Sequence, residues 1–205
     1  MPQKIIIVRH GETEYNVDRR LQGWLDIPLN AAGHAQGQKV AERFVGEQVE
    51  AIYSSDHQRA YVTASYIANK LSLKPKKSKS LREDHLGVLE GWQWEVEIDE
   101  IKTKLWDERR QSRLLGDIYW NEHGGDSLYT HTKRVKQVLN KVEKDHPEGN
   151  IIIVSHGGTL NRILEIYGLK QITDEYIGFK NTSVTIITKQ NNLYNLDLLN
   201  DITHL

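Results

Sequence analysis

The sequence predicts an α/β domain in which strands and helices alternate around a mainly parallel sheet. Two β-branched runs, residues 5–8 and 151–154, are identical, and each is soon followed by a histidine and a glycine. A short apolar run of this kind is typical of a strand buried on both faces of a parallel sheet. Helical apolar patterns lie between the strand-like runs, and this alternation favours a layered α/β arrangement.

Apolar spacing and capping residues place the individual elements of this domain. Strands are expected at residues 5–8, 51–54, 151–155, 184–188 and 193–199, the last two as an antiparallel hairpin. Helices are expected from Asn30 to about residue 46, from Asp56 to residue 71, from Asp126 or Ser127 onward, and at residues 159–167. Because no linker or low-complexity segment interrupts this order, we expect residues 1–205 to form a single domain.

The stretch of residues 83–125 fits the alternation least well. It contains a charged helix near residues 97–110 and four of the five tryptophans, namely Trp92, Trp94, Trp106 and Trp120. A long excursion of this kind is often a lid or a binding segment, so we expect a lid-like insertion at about residues 84–125. Most of its tryptophans should form a small local core, with Trp92 and Trp94 as candidate walls of a pocket.

Composition excludes several classes of protein. Lys and Arg number 27 against 28 Asp and Glu, a balance that argues against a general binder of nucleic acids or membrane surfaces. The chain has no cysteine, which removes disulfides, thiolate catalysis and cysteine-based zinc sites. The first apolar run is too short for a signal peptide or a membrane span, so a cytoplasmic location is expected. The lysine-rich stretch of residues 70–79 is expected to be a solvated connector.

Two arginines and two histidines are expected to meet at one edge of the sheet. Arg9 and His10 end the first strand, His156 follows the matching strand, and Arg59 lies in the first turns of the helix after the second strand. Ligands of open parallel sheets bind at the carboxyl ends of the strands. Guanidinium groups stay charged and match phosphate oxygens with a planar fork of donors, while glycines allow close backbone approach. The four side chains therefore predict a cradle for a tetrahedral oxyanion.

Such a cradle favours phosphoryl transfer to a histidine. A neutral imidazole can attack phosphorus directly, and nearby arginines should lower the pKa of His10 and keep it neutral. The departing alkoxide needs a proton from a carboxylic acid, for which Glu83, Asp84 and Glu90 are candidates that spacing alone does not separate. A metal site is disfavoured, because Arg9 would repel a cation and neither a carboxylate triad nor an HExxH helix is present.

An ordered set of short motifs across nearly the whole chain resembles the histidine phosphatase superfamily, which has the phosphoglycerate mutase-like fold. The motifs are Arg9-His10-Gly11-Glu12-Thr13 with Asn16, Leu21-Gln22-Gly23, Asp26-Ile27-Pro28-Leu29, Ser54-Ser55-Asp56 with Arg59, Leu81-Arg82-Glu83, Gly125-Asp126-Ser127 and Val154-Ser155-His156-Gly157. The resemblance implies a three-layer α/β/α sandwich with a lid insertion. Asp126 stands where family members often have Glu, and we expect a helix start there rather than a catalytic role.

The resemblance also implies roles for individual residues. His10 corresponds to the phosphorylated nucleophile and Glu83 to the proton donor. The remaining implied phosphate- or substrate-binding positions are Arg9, Arg59, His156, Asn16, Gln22, Gly23 and Gly157. The implied chemistry uses no metal and no organic cofactor.

The family contains phosphatases and mutases, and three features favour a phosphatase. The chain is shorter than the glycolytic mutases, Ser155-His156-Gly157-Gly158 differs from their Ala-His-Gly-Asn, and residues 200–205 resemble endings of the short bacterial phosphatase branch. We expect a metal-independent phosphomonoester hydrolase of the histidine acid phosphatase type that acts on small phosphorylated metabolites. The alternative is a 2,3-bisphosphoglycerate-dependent phosphoglycerate mutase.

Two further expectations concern other functions and partners. A catalytically inactive phospho-ligand sensor is disfavoured, because the nucleophile, the proton donor and the other pocket residues are all present. Residues 83–125 should contact the leaving group, and their aromatic richness hints at an apolar or ring-bearing substrate. The edge strand of the closing hairpin could pair across a homodimer.

Overall fold

The structure, a computed structural model, describes residues 3–114, 123–171, 174–191 and 193–205. These residues contain a six-stranded sheet with the order β3-β2-β4-β1-β5-β6. The strands are β1 (Gln3–Arg9), β2 (Ala51–Ser55), β3 (Lys76–Ser78), β4 (Ile151–Ser155), β5 (Val184–Gln190) and β6 (Leu193–Asp201). The first four pair in parallel, and β5 pairs antiparallel with both β1 and β6, so the sheet is mainly parallel as expected.

Helices cover both faces of this sheet and produce the three-layer sandwich. They are α1 (Glu14–Val17), α2 (Ala31–Glu42), α3 (Gln58–Lys70), α4 (Glu100–Leu114), α5 (Leu128–Asp145) and α6 (Gly157–Ile166). Alternate residues of β1 and β4 point to opposite layers, because side chains alternate along a strand. One apolar core includes Ile5 and Ile153 with residues of α5 and α6, and the other includes Ile6 and Ile152 with residues of α2 and α3.

The register between β1 and β4 positions the predicted cradle. Arg9 lies directly opposite Ser155, and the backbone N–H of His10 donates to the carbonyl of Ser155 at 2.9 Å. The residues that follow the two strands, His10 and His156, therefore leave the sheet side by side. Both apolar runs are completely or almost completely buried, which fixes this register because a slip of one residue would exchange the two faces.

Two local predictions are wrong. Asp56 does not cap α3; the N-cap is His57, without a side-chain hydrogen bond, and the Asp56 carboxylate instead accepts two 2.7 Å hydrogen bonds from Arg82. The lysine-rich stretch is not only a connector, because its residues 76–78 form the edge strand β3. Backbone pairing with β2 suffices for so short an edge strand, and its mostly exposed side chains leave no apolar alternation in the sequence.

The starts of α2 and α5 agree with the sequence. However, α2 ends at Glu42 rather than at about residue 46, and the charged helix expected near residues 97–110 spans Glu100–Leu114. Asn30 caps α2 by accepting a hydrogen bond from the Gly33 N–H, and Ser127 caps α5 by accepting one from the Thr130 N–H. The last helix begins at Gly157, two residues earlier than expected. No helix in the described ranges has both the length and the apolar character needed to cross a membrane.

Residues 84–114 contain a small apolar cluster and contribute residues to the cavity at the carboxyl ends of the strands. Leu86, Leu89 and Trp92 form a small buried cluster, against which Leu105 and Trp106 of the α4 region pack. The local core expected for the tryptophans is therefore present for Trp92 and Trp106. Trp120 lies outside the described residues.

Candidate active site

His10 is held in a single orientation at the end of β1. Its side chain is only 3% exposed, and its Nδ1 lies 2.7 Å from the carbonyl oxygen of Gly11. A carbonyl oxygen can only accept a hydrogen bond, so Nδ1 carries the proton and Nε2 carries the free lone pair. Burial, followed by the charges of Arg59 and Arg9, holds the pKa of His10 well below its ordinary value of 6.5. The imidazole is therefore neutral near pH 7, with a nucleophilic nitrogen available.

His156 has the opposite tautomer. Its ring centroid lies 5.1 Å from that of His10, and its Nδ1 accepts a 3.2 Å hydrogen bond from Nε of Arg59. The proton must then be on Nε2, which is buried and has no hydrogen-bond partner within the described residues. Burial, followed by the charge of Arg59, lowers the pKa of His156 well below 6.5. His156 thus contributes a neutral N–H donor beside the lone pair of His10.

Backbone carbonyls hold both guanidinium groups of the cradle. Arg59 is fully buried near the start of α3 and donates to the carbonyls of Leu25 at 2.6 Å and Gly23 at 2.9 Å. Burial lowers its pKa to about 10, which leaves it charged near pH 7. Arg9 donates to the carbonyl of Phe179, and its buried Nε has no hydrogen-bond partner in the described part of the chain. Two fixed positive charges therefore flank the histidines and favour an anionic ligand.

Acid should destabilise the folded protein, because the buried histidines of the site are neutral in the folded state. His57, whose ring lies 5.6 Å from that of His156, has a pKa of about 4, lowered first by burial. Below pH 6.5 the unfolded chain binds protons on His10, His57 and His156 that the folded chain does not, so the free energy of unfolding falls. Each histidine contributes about 1.4 kcal/mol per pH unit. Urea unfolding at about pH 7 and at about pH 5 measures this change in the free energy of unfolding. His57→Gln should make the free energy of unfolding less dependent on pH. An equal free energy of unfolding at the two pH values would contradict the prediction.

Glu83 lies beside the histidines, against the N-terminus of α6. Its Oε1 accepts hydrogen bonds from the N–H groups of Asp84 at 2.9 Å and Thr159 at 3.0 Å, and its Oε2 accepts one from Gly158 at 3.0 Å. The Gly158 and Thr159 N–H groups are available because the first N–H groups of a helix have no partner within the helix. An added Cβ at Gly158 would lie 2.5 Å from Oε1, so the glycine allows this close approach.

The other two candidate carboxylates have structural partners. Asp84 forms a buried 2.7 Å ion pair with Arg109 of α4. Glu90 accepts hydrogen bonds from the backbone N–H groups of Trp24 at 2.8 Å and Leu86 at 3.1 Å. Among the three candidates, only Glu83 combines a position on the cavity wall with contacts to the backbone that follows His156.

A cavity of about 510 Å³ opens above these residues. Its floor includes Arg9, His10, Arg59 and Glu83, and one side is formed by the predicted loop residues Asn16, Gln22 and Gly23. Asn16 also holds this loop, because its Oδ1 accepts a hydrogen bond from the Thr13 N–H. Two predicted site residues are not part of the cavity wall. His156 is fully buried beside His10, and Gly157 begins α6 next to it.

The opposite wall only partly matches the sequence prediction. Trp94 lines the cavity as expected, but Trp92 does not, because it is 2% exposed and belongs to the small cluster described above. Several wall residues were not predicted, namely Arg20, Leu21, Leu86, Trp106, Arg109, Arg110 and Tyr176. Leu21 belongs to the Leu21-Gln22-Gly23 motif but was assigned no role. No local motif marks the others, although an enrichment of arginine and tryptophan in residues 84–114 was visible in the sequence.

No cluster of three or more His, Cys, Asp or Glu side chains suited to a metal ion occurs among the residues that the structure describes. A sequence model described as "Histidine phosphatase superfamily (branch 1)" matches residues 5–202. The chain belongs to the histidine phosphatase superfamily. Its sheet, with the two histidines at the carboxyl edge, has the phosphoglycerate mutase-like fold implied by the motifs.

Individual relatives within the histidine phosphatase superfamily support the same assignment. The chain is 38% identical over 164 residues to phosphoglycerate mutase-like protein 4 of Arabidopsis thaliana, covering 79% of this chain and 70% of that protein. It is 31% identical to a metal-independent phosphoserine phosphatase of the same plant, covering 98% and 83%. Among solved structures, a mycobacterial glucosyl-3-phosphoglycerate phosphatase superimposes with a TM-score of 0.83 at 27% identity, covering 98% and 100%.

Proposed function

We propose that this histidine phosphatase superfamily member hydrolyses phosphomonoesters of small metabolites through a phosphohistidine intermediate on His10. One observation carries the proposal: the two buried histidines have complementary tautomers. His10 presents a lone pair and His156 presents an N–H donor, between the fully buried guanidinium of Arg59 and the partly buried guanidinium of Arg9. A phosphoryl group needs both a nucleophile and donors for its oxygens, and this pocket contains them.

In the first step, Nε2 of His10 attacks phosphorus while the bond from phosphorus to the leaving oxygen breaks. The carboxylic acid of Glu83 donates its proton to that oxygen, so the product leaves as an alcohol. Negative charge on the phosphoryl oxygens is stabilised by Arg9, Arg59 and the N–H of His156. Asn16, Gln22, Gly23 and Gly157 are proposed to contact the substrate or its phosphate.

In the second step, a water molecule attacks the phosphohistidine. The Glu83 carboxylate, ionised after the first step, takes a proton from that water as the bond between nitrogen and phosphorus breaks. Inorganic phosphate is released, His10 returns to its neutral form, and Glu83 is again protonated. This cycle uses only side chains of the chain, which is consistent with a metal-independent hydrolase.

The comparisons favour hydrolysis over isomerisation. A relative covering almost the whole chain is named as a metal-independent phosphoserine phosphatase, and a structural neighbour is a glucosyl-3-phosphoglycerate phosphatase. Both names describe enzymes of small phosphorylated compounds, so we assign the same broad substrate class to this chain. The mutase alternative has less support. A cytoplasmic location and pairing of two copies through the edge strand β6 remain predictions.

The function can be tested by measuring phosphate release in the presence of EDTA. The panel should contain 4-nitrophenyl phosphate, glycerol 3-phosphate, a sugar phosphate, phosphoserine and 3-phosphoglycerate. We expect release from at least one alkyl phosphate at a rate that EDTA does not change. Release that depends on added metal, or isomerisation of 3-phosphoglycerate only when 2,3-bisphosphoglycerate is added, would contradict the proposal.

A further inference from the structure

We infer that Arg134 and Asp126 are positioning residues that fix the proton donor Glu83 through its backbone; this inference rests on the proposed function. Arg134 lies in α5, and its guanidinium donates to three carbonyls of the segment that ends at Glu83. These hydrogen bonds are to Ser80 at 3.1 Å, Arg82 at 2.6 Å and Glu83 at 2.6 Å. One planar group thus holds several points of the chain just before the reactive side chain.

Asp126 completes this arrangement from the start of α5. Its Oδ2 accepts hydrogen bonds from Nη2 of Arg134 at 2.6 Å and from Nε at 3.1 Å. The same oxygen accepts a 3.1 Å hydrogen bond from the backbone N–H of His85. The ion pair therefore holds the chain on both sides of Glu83, through a carbonyl at residue 83 and an N–H at residue 85.

The environment of the pair makes this contact a strong one. The side chains of Arg134 and Asp126 are only 14% and 13% exposed, so solvent screens their interaction weakly. The carbonyl of Glu83 also accepts a 2.8 Å hydrogen bond from Nε1 of Trp24, and the Arg134 guanidinium carbon lies 5.8 Å from the Trp24 ring centre. With its carboxylate held by α6 and its backbone held by α5, Glu83 has little freedom to move.

Neither residue of the pair lines the cavity, so the pair is expected to affect the reaction chiefly through the position of Glu83. A displacement of the proton donor by about 1 Å can lower a rate by about 10²-fold. In the phosphorylation step, that loss should fall on substrates whose leaving alkoxide must be protonated. The same step should be spared for an aryl phosphate, whose acidic phenol can leave as the anion. A general loss of structure would affect both substrates alike.

The test compares kcat/KM for glycerol 3-phosphate with kcat/KM for 4-nitrophenyl phosphate in Arg134→Met, Asp126→Asn and Asp126→Glu. This parameter reports only the steps up to release of the leaving group, whereas kcat also contains the hydrolysis of phosphohistidine that both substrates share. We expect the alkyl-to-aryl ratio to fall by about 10- to 100-fold in the first two variants and to recover largely in Asp126→Glu, which restores the carboxylate. The matched control is Arg43→Met. It breaks another partly buried ion pair, with Asp201, and should leave the ratio unchanged.

Equal losses on both substrates, or an unchanged ratio in a folded Arg134→Met protein, would overturn the inference. If Arg134→Met does not fold, the alkyl-to-aryl ratio of Asp126→Asn decides the question in the same way. The failure of the proposed function has a different signature, since the wild-type protein would then release phosphate from no member of the substrate panel.

Discussion

Replacing His10 by alanine is expected to lower kcat for phosphate release by about 10⁴-fold or more, because the reaction loses its nucleophile. His156 cannot replace it. Its Nδ1 accepts a hydrogen bond from Arg59, and its Nε2 carries the proton. Initial rates with glycerol 3-phosphate and 4-nitrophenyl phosphate should fall together, since both reactions begin with the same attack. Binding of inorganic phosphate, measured by calorimetry, should persist because Arg9 and Arg59 remain.

The exposed His34 provides a control for this variant. It accepts or donates a hydrogen bond with Tyr66 and lies outside the cavity wall, so His34→Ala should keep nearly the full rate. Retention of more than about a tenth of wild-type activity in His10→Ala would show that another group attacks phosphorus, or that water attacks directly.

Replacing Glu83 by glutamine is expected to lower kcat/KM for glycerol 3-phosphate by about 10²- to 10⁴-fold. This parameter reports the phosphorylation step alone, whereas kcat also contains the hydrolysis of phosphohistidine, in which Glu83 acts with every substrate. Glutamine keeps the length of the side chain but has no acidic proton to give to the leaving alkoxide. The loss should be much smaller for 4-nitrophenyl phosphate, whose leaving group departs as a stable anion. Steady-state rates of the one variant on the two substrates therefore separate proton donation from general damage to the site.

Glu90→Gln is the matched control for this substitution. Glu90 is also a carboxylate of the original candidate set, but it accepts hydrogen bonds from the backbone of Trp24 and Leu86. Its loss should change the alkyl and aryl rates by the same factor. If instead Glu90→Gln selectively slows hydrolysis of the alkyl phosphate while Glu83→Gln does not, the proton donor is Glu90 and not Glu83.

The sequence predicts the floor of the site well because the determining information is local. The runs that form β1 and β4 are fully apolar and end on matching residues, so parallel pairing brings His10 and His156 together. The neutral state of His10 could also be expected, since Arg9 adjoins it in the chain. Burial, which the sequence does not reveal, is the largest cause of its lowered pKa.

Features that depend on distant partners were not predictable in the same way. Asp56 has the residue type of a helix cap, but Arg82 takes its carboxylate from 26 positions away. Trp92 and Trp94 are separated by one residue, yet one is buried in a local cluster and the other faces the cavity. The contact of Arg134 with the backbone of residues 80–83 likewise joins α5 to a segment about 50 residues earlier.

The most direct test of the central claim is to look for the covalent intermediate. Wild-type protein should be mixed with a substrate labelled in the phosphoryl group and then quenched in alkali, because phosphohistidine survives there. The quenched protein is digested and analysed by mass spectrometry. We predict a phosphoryl group on His10, in the peptide that begins after Arg9. The corresponding peptide of His10→Ala should carry no phosphoryl group. Turnover of the labelled substrate without phosphorylated His10, or with the phosphoryl group on another residue, would contradict the account.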